Sequence, residues 1–171
     1  MRPLAAEDEE EFIALARESV SLHRGRIFAP TKTGEFGEYL ARFDGVNSIG
    51  FVIRLNHTQE LAGLVNLNEI VRSLDAHAAV GYGGFSATAG HGYVTEAVRL
   101  AVRYAFEELW LSRLDAYIQP DNSASRRVLE KAGFRPAASG RKIICIAGQS
   151  IDHQRWTVTA GCDRNGDFYR S

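Results

Sequence analysis

The apolar positions along this chain change period several times, and those changes divide it into elements. In "EDEEEFIALARES" an acidic first turn precedes Phe12, Ile13, Leu15 and Ala16, a start that suits the helix dipole. "GEFGEYLARF" repeats Phe36, Tyr39, Leu40 and Phe43 at helical spacing and predicts a second, short helix. Between them, "SLHRGRIFAPTKT" mixes glycine, proline and basic residues and reads as an exposed loop. The period then shortens. "SIGFVIRL", "ELAGLVNLNEIV" and "HAAVGYGGF" are rich in apolar and β-branched residues, with "NHTQE" as a turn, and predict an antiparallel meander.

The strongest helical pattern follows Gly92. Val98, Ala101, Val102, Ala105, Phe106 and Leu109 form one continuous apolar stripe, with Glu96, Arg99, Arg103 and Glu107 opposite. "RLDAYIQP" reads as a strand. In "DNSASRRVLEKAGF", Asp121 or Asn122 caps a helix whose Val128, Leu129 and Ala132 face inward, and Gly133 takes the left-handed C-terminal cap. "RKIICIAG" and "IDHQRWTVT" predict a closing hairpin around Gly148, followed by a patternless, frayed tail over about residues 160–171. The order of elements predicts one α+β domain across residues 1–171, built on one mixed, mostly antiparallel sheet flanked by helices.

Composition narrows the function. With 171 residues and 45% hydrophobic content, the chain has the make-up of a soluble globular domain. Its 20 basic and 21 acidic residues leave a net charge of −1, which argues against broad nucleic-acid or membrane-surface binding. No apolar run is long enough to span a bilayer, and the acidic N-terminus is unlike a signal peptide. Cys145 and Cys162 fit neither a disulfide framework nor a CxxC pair, which points to a reducing cytoplasm. The five histidines show no ligand spacing, so no metal is assigned.

Two glycines in "AGHGYVTEAVRL" precede the strongest helix. A helix N-terminus offers unpaired N–H groups and partial positive charge, and Gly90 and Gly92 let an anion approach without Cβ atoms in the way. A P-loop needs GxxxxGK followed by Ser or Thr, which is absent. A dinucleotide fingerprint needs a third glycine where Thr95 stands, and a parallel βαβ unit where a meander is predicted. A pyrophosphate cradle and a plain tight turn both fit the glycines taken alone.

The second half adds specificity. "GYGGFSATAGHGYVTEAVRLAVRYAF", "DAYIQPDNSASRRVLEKAGF" and "IDHQRWTVT", over residues 62–159, resemble the GCN5-related N-acetyltransferase (GNAT) superfamily, in its RimJ/RimL-type branch of ribosomal-protein N-terminal acetyltransferases. The first sixty residues match loosely. The resemblance implies a sheet with splayed central strands and an acetyl-coenzyme A site. The strand end at Tyr82, Gly83, Gly84 and Phe85 would pair with the pantetheine arm. The loop of Gly90, His91, Gly92, Tyr93, Val94 and Thr95 would wrap the pyrophosphate. Asn122 would contact the cofactor arm, and Ser125 would lie near the thioester sulfur. Helices over about residues 6–43 would wall the acceptor groove. Ala89 stands where the family has Gln or Arg, and Val94 where it has a small residue. Leu129 stands where other branches carry a tyrosine acid.

Acetyl transfer to an amine needs a neutral amine, a stabilised oxyanion and a proton for the departing thiolate. An α-amine with a pKa of about 8 is roughly a tenth neutral at pH 7, a margin of about 3 kcal/mol over a lysine amine. Weak base candidates therefore suit an N-terminal substrate. Glu69, on the strand "NLNEIV", is the base candidate, directly or through water; its alternative is a solvent-facing strand carboxylate, although strict alternation would set it on the face of Leu67. Ser125 is the candidate thiolate proton donor or sulfur ligand; its alternative is a helix cap. A backbone N–H near Gly84 or Phe85 would hold the oxyanion. Asp152 and His153 read as a groove-side polar pair or a solvated strand edge. The expected partners are acetyl-coenzyme A and a protein N-terminus or small amine, with no direct nucleic-acid or membrane partner, and a homodimer is compatible. Two alternatives stay open: a small-molecule acceptor (polyamine, amino acid or aminoglycoside), and a non-catalytic coenzyme A sensor or interaction module.

Overall fold

Helix α4 (Tyr93–Glu107) realises the long apolar stripe: Ala97, Val98, Ala101 and Ala105 are buried, with Val102, Phe106 and Leu109 packed beside them. In the computed structural model, which describes residues 1–27, 29–146 and 149–161, this helix lies against the sheet with α5 (Ser123–Lys131). The three strands of the meander are β2 (Ile49–Arg54), β3 (Leu61–Val71) and β4 (His77–Gly84), each antiparallel to the next. β5 (Arg113–Ile118) runs parallel to β4, as a helical crossover through α4 requires. The expected closing hairpin is β7 (Lys142–Ile146) with β8 (Gln149–Thr159). The expected turn at Gly148 lies outside the described residues, as does the tail beyond residue 161.

Two short strands complete the sheet. β1 (Arg2–Pro3) pairs with β2, and β6 (Arg135–Pro136) pairs with β8. The order is β1-β2-β3-β4-β5-β8-β6, with β7 also on β8. Apolar alternation fills both faces. Val65, Leu67, Ala78, Val80, Leu114, Ala116, Ile118 and Trp156 pack under α4 and α5. Val52, Leu61, Leu64 and Phe85 pack on the other face under α1 (Glu9–Glu18) and α3 (Thr33–Leu40). Phe12 anchors that second core, with Phe36, Tyr39 and Phe85 ring centres 5.4, 5.8 and 5.5 Å away.

The segment read as an exposed loop is partly otherwise. Val20–His23 forms a short helix, α2, and His23 is buried. Asn122, not Asp121, caps α5: its Oδ1 accepts the Ser125 N–H at 3.1 Å, while Asp121 pairs with Arg26 at 2.7 Å. Gly133 takes φ +91, and the Phe134 N–H bonds the Leu129 carbonyl at 3.0 Å, the expected left-handed cap.

Candidate active site

The central opening follows from the register of two strands. β4 and β5 pair only across His77–Arg113, Ala78–Leu114 and Ala79–Asp115; past Ala79 they no longer bond to each other. The Phe85 N–H bonds the Ala62 carbonyl at 3.2 Å, so it faces β3. Strand backbone groups alternate sides, which turns those of Gly84 and Tyr82 toward the opening. The Phe85 expectation is corrected accordingly. Its N–H is committed to Ala62 and its ring is fully buried, so the strand-end N–H that faces the gap is that of Gly84.

Helix α4 begins at the same end of β4. Gly90 and Gly92 have φ of +83 and +87, a region that glycine alone adopts readily, and a Cβ on either would meet no atom within 4 Å. The loop therefore combines an obligatory backbone shape with open space before it. The first helical bond runs from the Glu96 N–H to the Gly92 carbonyl at 3.0 Å, and no side chain among the described residues caps the helix. The N–H groups of Tyr93, Val94 and Thr95 are thus left to an external acceptor. His91 Nδ1 lies 3.1 Å from the Ala89 carbonyl and 3.3 Å from that of Thr88, so the proton sits on Nδ1. The ring stacks on Tyr93 at 5.7 Å between centres. Val94 packs its Cγ2 where a Cβ on Gly84 would approach to 3.0 Å, so the larger residue at 94 is matched by the absent side chain at 84.

Across the opening, Ser125 is half-buried in the first turn of α5. Its carbonyl accepts the Tyr82 hydroxyl at 3.2 Å, and its own hydroxyl bonds no described residue. Burial pushes the Tyr82 phenol well above its ordinary value despite that bond, so Tyr82 remains a protonated donor tying β4 to α5. Leu129 is fully buried in the core.

Polar side chains gather on the sheet face opposite α4, where the acceptor groove is expected. The side chains between the buried positions, namely Asn66, Asn68, Asp115, Tyr117 and Arg155, point there. Burial pushes the Tyr39 phenol up to about 12, with its hydroxyl toward Asn66. Ile27 packs on Gly83, and Arg26 bonds Gln119 and Asp121 at 3.1 and 2.7 Å, so the α2–α3 segment walls one end. The strict alternation expected for Glu69 fails. β3 bulges between Asn68 and Val71, and Glu69 takes φ +53, which removes it from the buried face of Leu67. It is exposed and meets Lys142 Nζ at 3.4 Å. Asp152 and His153 do not pair: Asp152 bonds Arg141 at 2.9 Å, while buried His153 bonds the Ile151 carbonyl.

His23 was not singled out by sequence. Its Nε2 lies 2.8 Å from the Gly84 carbonyl, fixing the strand end at the opening to the N-terminal wall. A histidine in a basic, glycine-containing stretch gives no signal of this, because its partner lies 61 residues away.

The Acetyltransferase (GNAT) domain family matches residues 1–135. The protein named "Probable N-acetyltransferase YjcK" of Bacillus subtilis (strain 168) is 38% identical over 163 residues, 90% of each chain. Ribosomal protein uS5-alanine N-acetyltransferase of Escherichia coli (strain K12) is 28% identical over 101 residues, 59% of this chain and 52% of that one. Two solved structures share the fold. Mycobacterium smegmatis RimJ in complex with CoA-disulfide has a TM-score of 0.80 at 22% identity, over 93% of this chain and 80% of that one. A SpeG spermidine N-acetyltransferase mutant from Vibrio cholerae has a TM-score of 0.73 at 20% identity, over 92% and 91%. A split between parallel strands, a glycine turn whose three N–H groups bond no described residue and a matching family converge: the chain belongs to the GNAT family and is an acetyl-coenzyme A-dependent N-acetyltransferase.

Proposed function

We propose that the acceptor is the α-amine of a protein N-terminus. The observation that carries this reading is the pairing of the carboxylates around the groove. Glu69 meets Lys142, Asp115 meets Arg113 and Arg155, Asp121 meets Arg26, and Asp152 meets Arg141. A polyamine brings several positive charges and needs carboxylates not already matched by cations. A single α-amine needs none, and its lower pKa asks little of a base. The spermidine enzyme shares this fold and the ribosomal-protein enzyme is a relative in sequence, so these groove charges are what favour the second.

The residues take the following parts. Tyr93, Val94 and Thr95 N–H groups hold the pyrophosphate of acetyl-coenzyme A, and Gly90 and Gly92 keep the approach clear, while the His91 N–H is spent on the Ala89 and Thr88 carbonyls. The exposed edge at Tyr82 and Gly84, with the Asn122 amide, aligns the pantetheine arm beside buried Phe85, while the Gly83 backbone, expected on that edge, faces β3 instead. The cofactor supplies an activated acetyl thioester. Glu69, whose Oε1 is held by Lys142, takes a proton from the amine through water at its other oxygen, the Gly84 N–H stabilises the oxyanion, and the Ser125 hydroxyl donates to the departing sulfur. The chemistry belongs to a cytoplasmic setting, where acetyl-coenzyme A and nascent N-termini meet.

The test is mass spectrometry of protein N-termini incubated with enzyme and acetyl-coenzyme A. Newly acetylated α-amines are expected, and unchanged N-termini alongside acetylated spermidine would refute the reading. Ser125→Ala is expected to lower turnover about 10-fold or more, the scale of one proton-transfer group, with coenzyme A affinity preserved. A wild-type rate would remove Ser125 from the chemistry.

A further inference from the structure

Lys142 differs from the other groove cations in what surrounds its ammonium. Its Nζ lies 3.4 Å from Glu69 Oε1 and 5.1 Å from the centre of the Tyr117 ring. A carboxylate beside an aromatic face is the chemistry that recognises an alkylammonium ion. The three groups come from three strands, β3, β5 and β7. β4 separates the first two and β8 the last two, so no local turn brings them together. Glu69 reaches the site from a left-handed backbone position, the one residue of β3 so placed. An exposed ion pair adds little to stability, so holding the fold is a poor reason for that strain. Glu69 and Lys142 side chains are 68% and 45% exposed, so a competing cation can reach the pair.

We propose that Glu69 and Tyr117 form an ammonium subsite in the acceptor groove, that Lys142 fills it from within the chain, and that Lys142 thereby excludes acceptors carrying a second ammonium group. This rests on the acceptor reading above and names the residue that enforces it. A tethered cation competes at an effective concentration of about millimolar or above. A free polyamine at lower concentration loses to it. An acceptor with one reacting amine has no second charge to place and is indifferent to the contest. Remove the lysine, and the ring and carboxylate become available to spermidine.

The experiment is calorimetric titration of spermidine into the coenzyme A-bound full chain. Lys142→Ala is expected to bind at least about 10-fold tighter than wild type, on the scale of one cation–π contact with its carboxylate. Lys142→Arg keeps a cation in the subsite and is expected to bind as weakly as wild type. In Lys142→Ala/Tyr117→Leu the gain is lost. The kcat/KM for spermidine relative to an alanine-start peptide rises with the affinity in Lys142→Ala. Equal affinity in wild type and Lys142→Ala overturns the proposal, as does a gain that survives loss of Tyr117, or tighter binding without a change in acceptor preference. The titration needs no turnover. Failure to acetylate N-termini would sink the acceptor reading alone, and the binding data would still decide the subsite.

Discussion

Gly92→Val is expected to weaken coenzyme A binding about 100-fold or more, through two effects of similar size. The first is conformational: Gly92 sits at φ +87, and a β-branched residue held there costs about 1–3 kcal/mol. The second is steric. The added side chain enters the open space before the Tyr93, Val94 and Thr95 N–H groups, where the phosphates would bind. Two further substitutions separate these effects. Gly92→Ala carries the backbone cost with little bulk and should lose less. Gly92→Asn tolerates the left-handed backbone but still intrudes, so it should bind weakly while melting near wild type. Calorimetry of coenzyme A binding, with a thermal melt to confirm the fold, reads both. Wild-type affinity in a folded Gly92→Val protein would end the assignment of this loop to the phosphates.

The elements visible in sequence are those whose information is local. The stripe of α4, a cap at Asp121 or Asn122 and the Gly133 stop each depend on residues within a few positions, and all three are in place, the cap at Asn122. The loop glycines belong with them, since positive φ is a property of the residue itself. What escaped reading depends on distant partners. β6 is a two-residue strand that exists because β8 offers an edge. α2 forms where loop composition was read, because His23 has the Gly84 carbonyl to bond. Asn68 and Glu69 have ordinary strand neighbours, so no residue near Glu69 announces the bulge. Lys142 lies 73 positions from the carboxylate it meets, so neither periodicity nor motif could join them. Charge placement in the groove, which bears on the acceptor, is therefore a property of the fold more than of any sequence window.

The residue just before α1 holds the second large effect: Asp8→Ala is expected to destabilise the fold by about 3 kcal/mol, toward the lower end for one partner of a buried ion pair, because both arginines keep some solvent. Asp8 is completely buried, accepts the Ala5 N–H at 3.0 Å, and meets Arg2 at 2.6 Å and Arg54 at 2.8 Å. Without it, two guanidinium groups on β1 and β2 face each other with only Glu11 and Glu7 to temper them. For a chain of this length the melting temperature should fall by about 6–12 °C. Burial alone would raise the Asp8 carboxyl, but hydrogen bonds from Arg54, Arg2 and the Ala5 N–H outweigh it and hold it below its ordinary value of 3.8. A folded value below the unfolded one means that the stabilisation is complete above the ordinary value and is lost as pH falls through the lowered one. Asp8→Asn should therefore flatten the acid limb of stability against pH. Asp44, held low by the N–H groups of Ser48, Val46 and Asn47, leaves a residual slope. An Asp8→Asn protein with the wild-type acid limb would show that the carboxylate does not carry the linkage. The consequence reaches the site, because α1 leads through α2 to His23. Loosening the start of α1 should release the Gly84 carbonyl and lower acetylation at temperatures where the rest of the sheet is still folded.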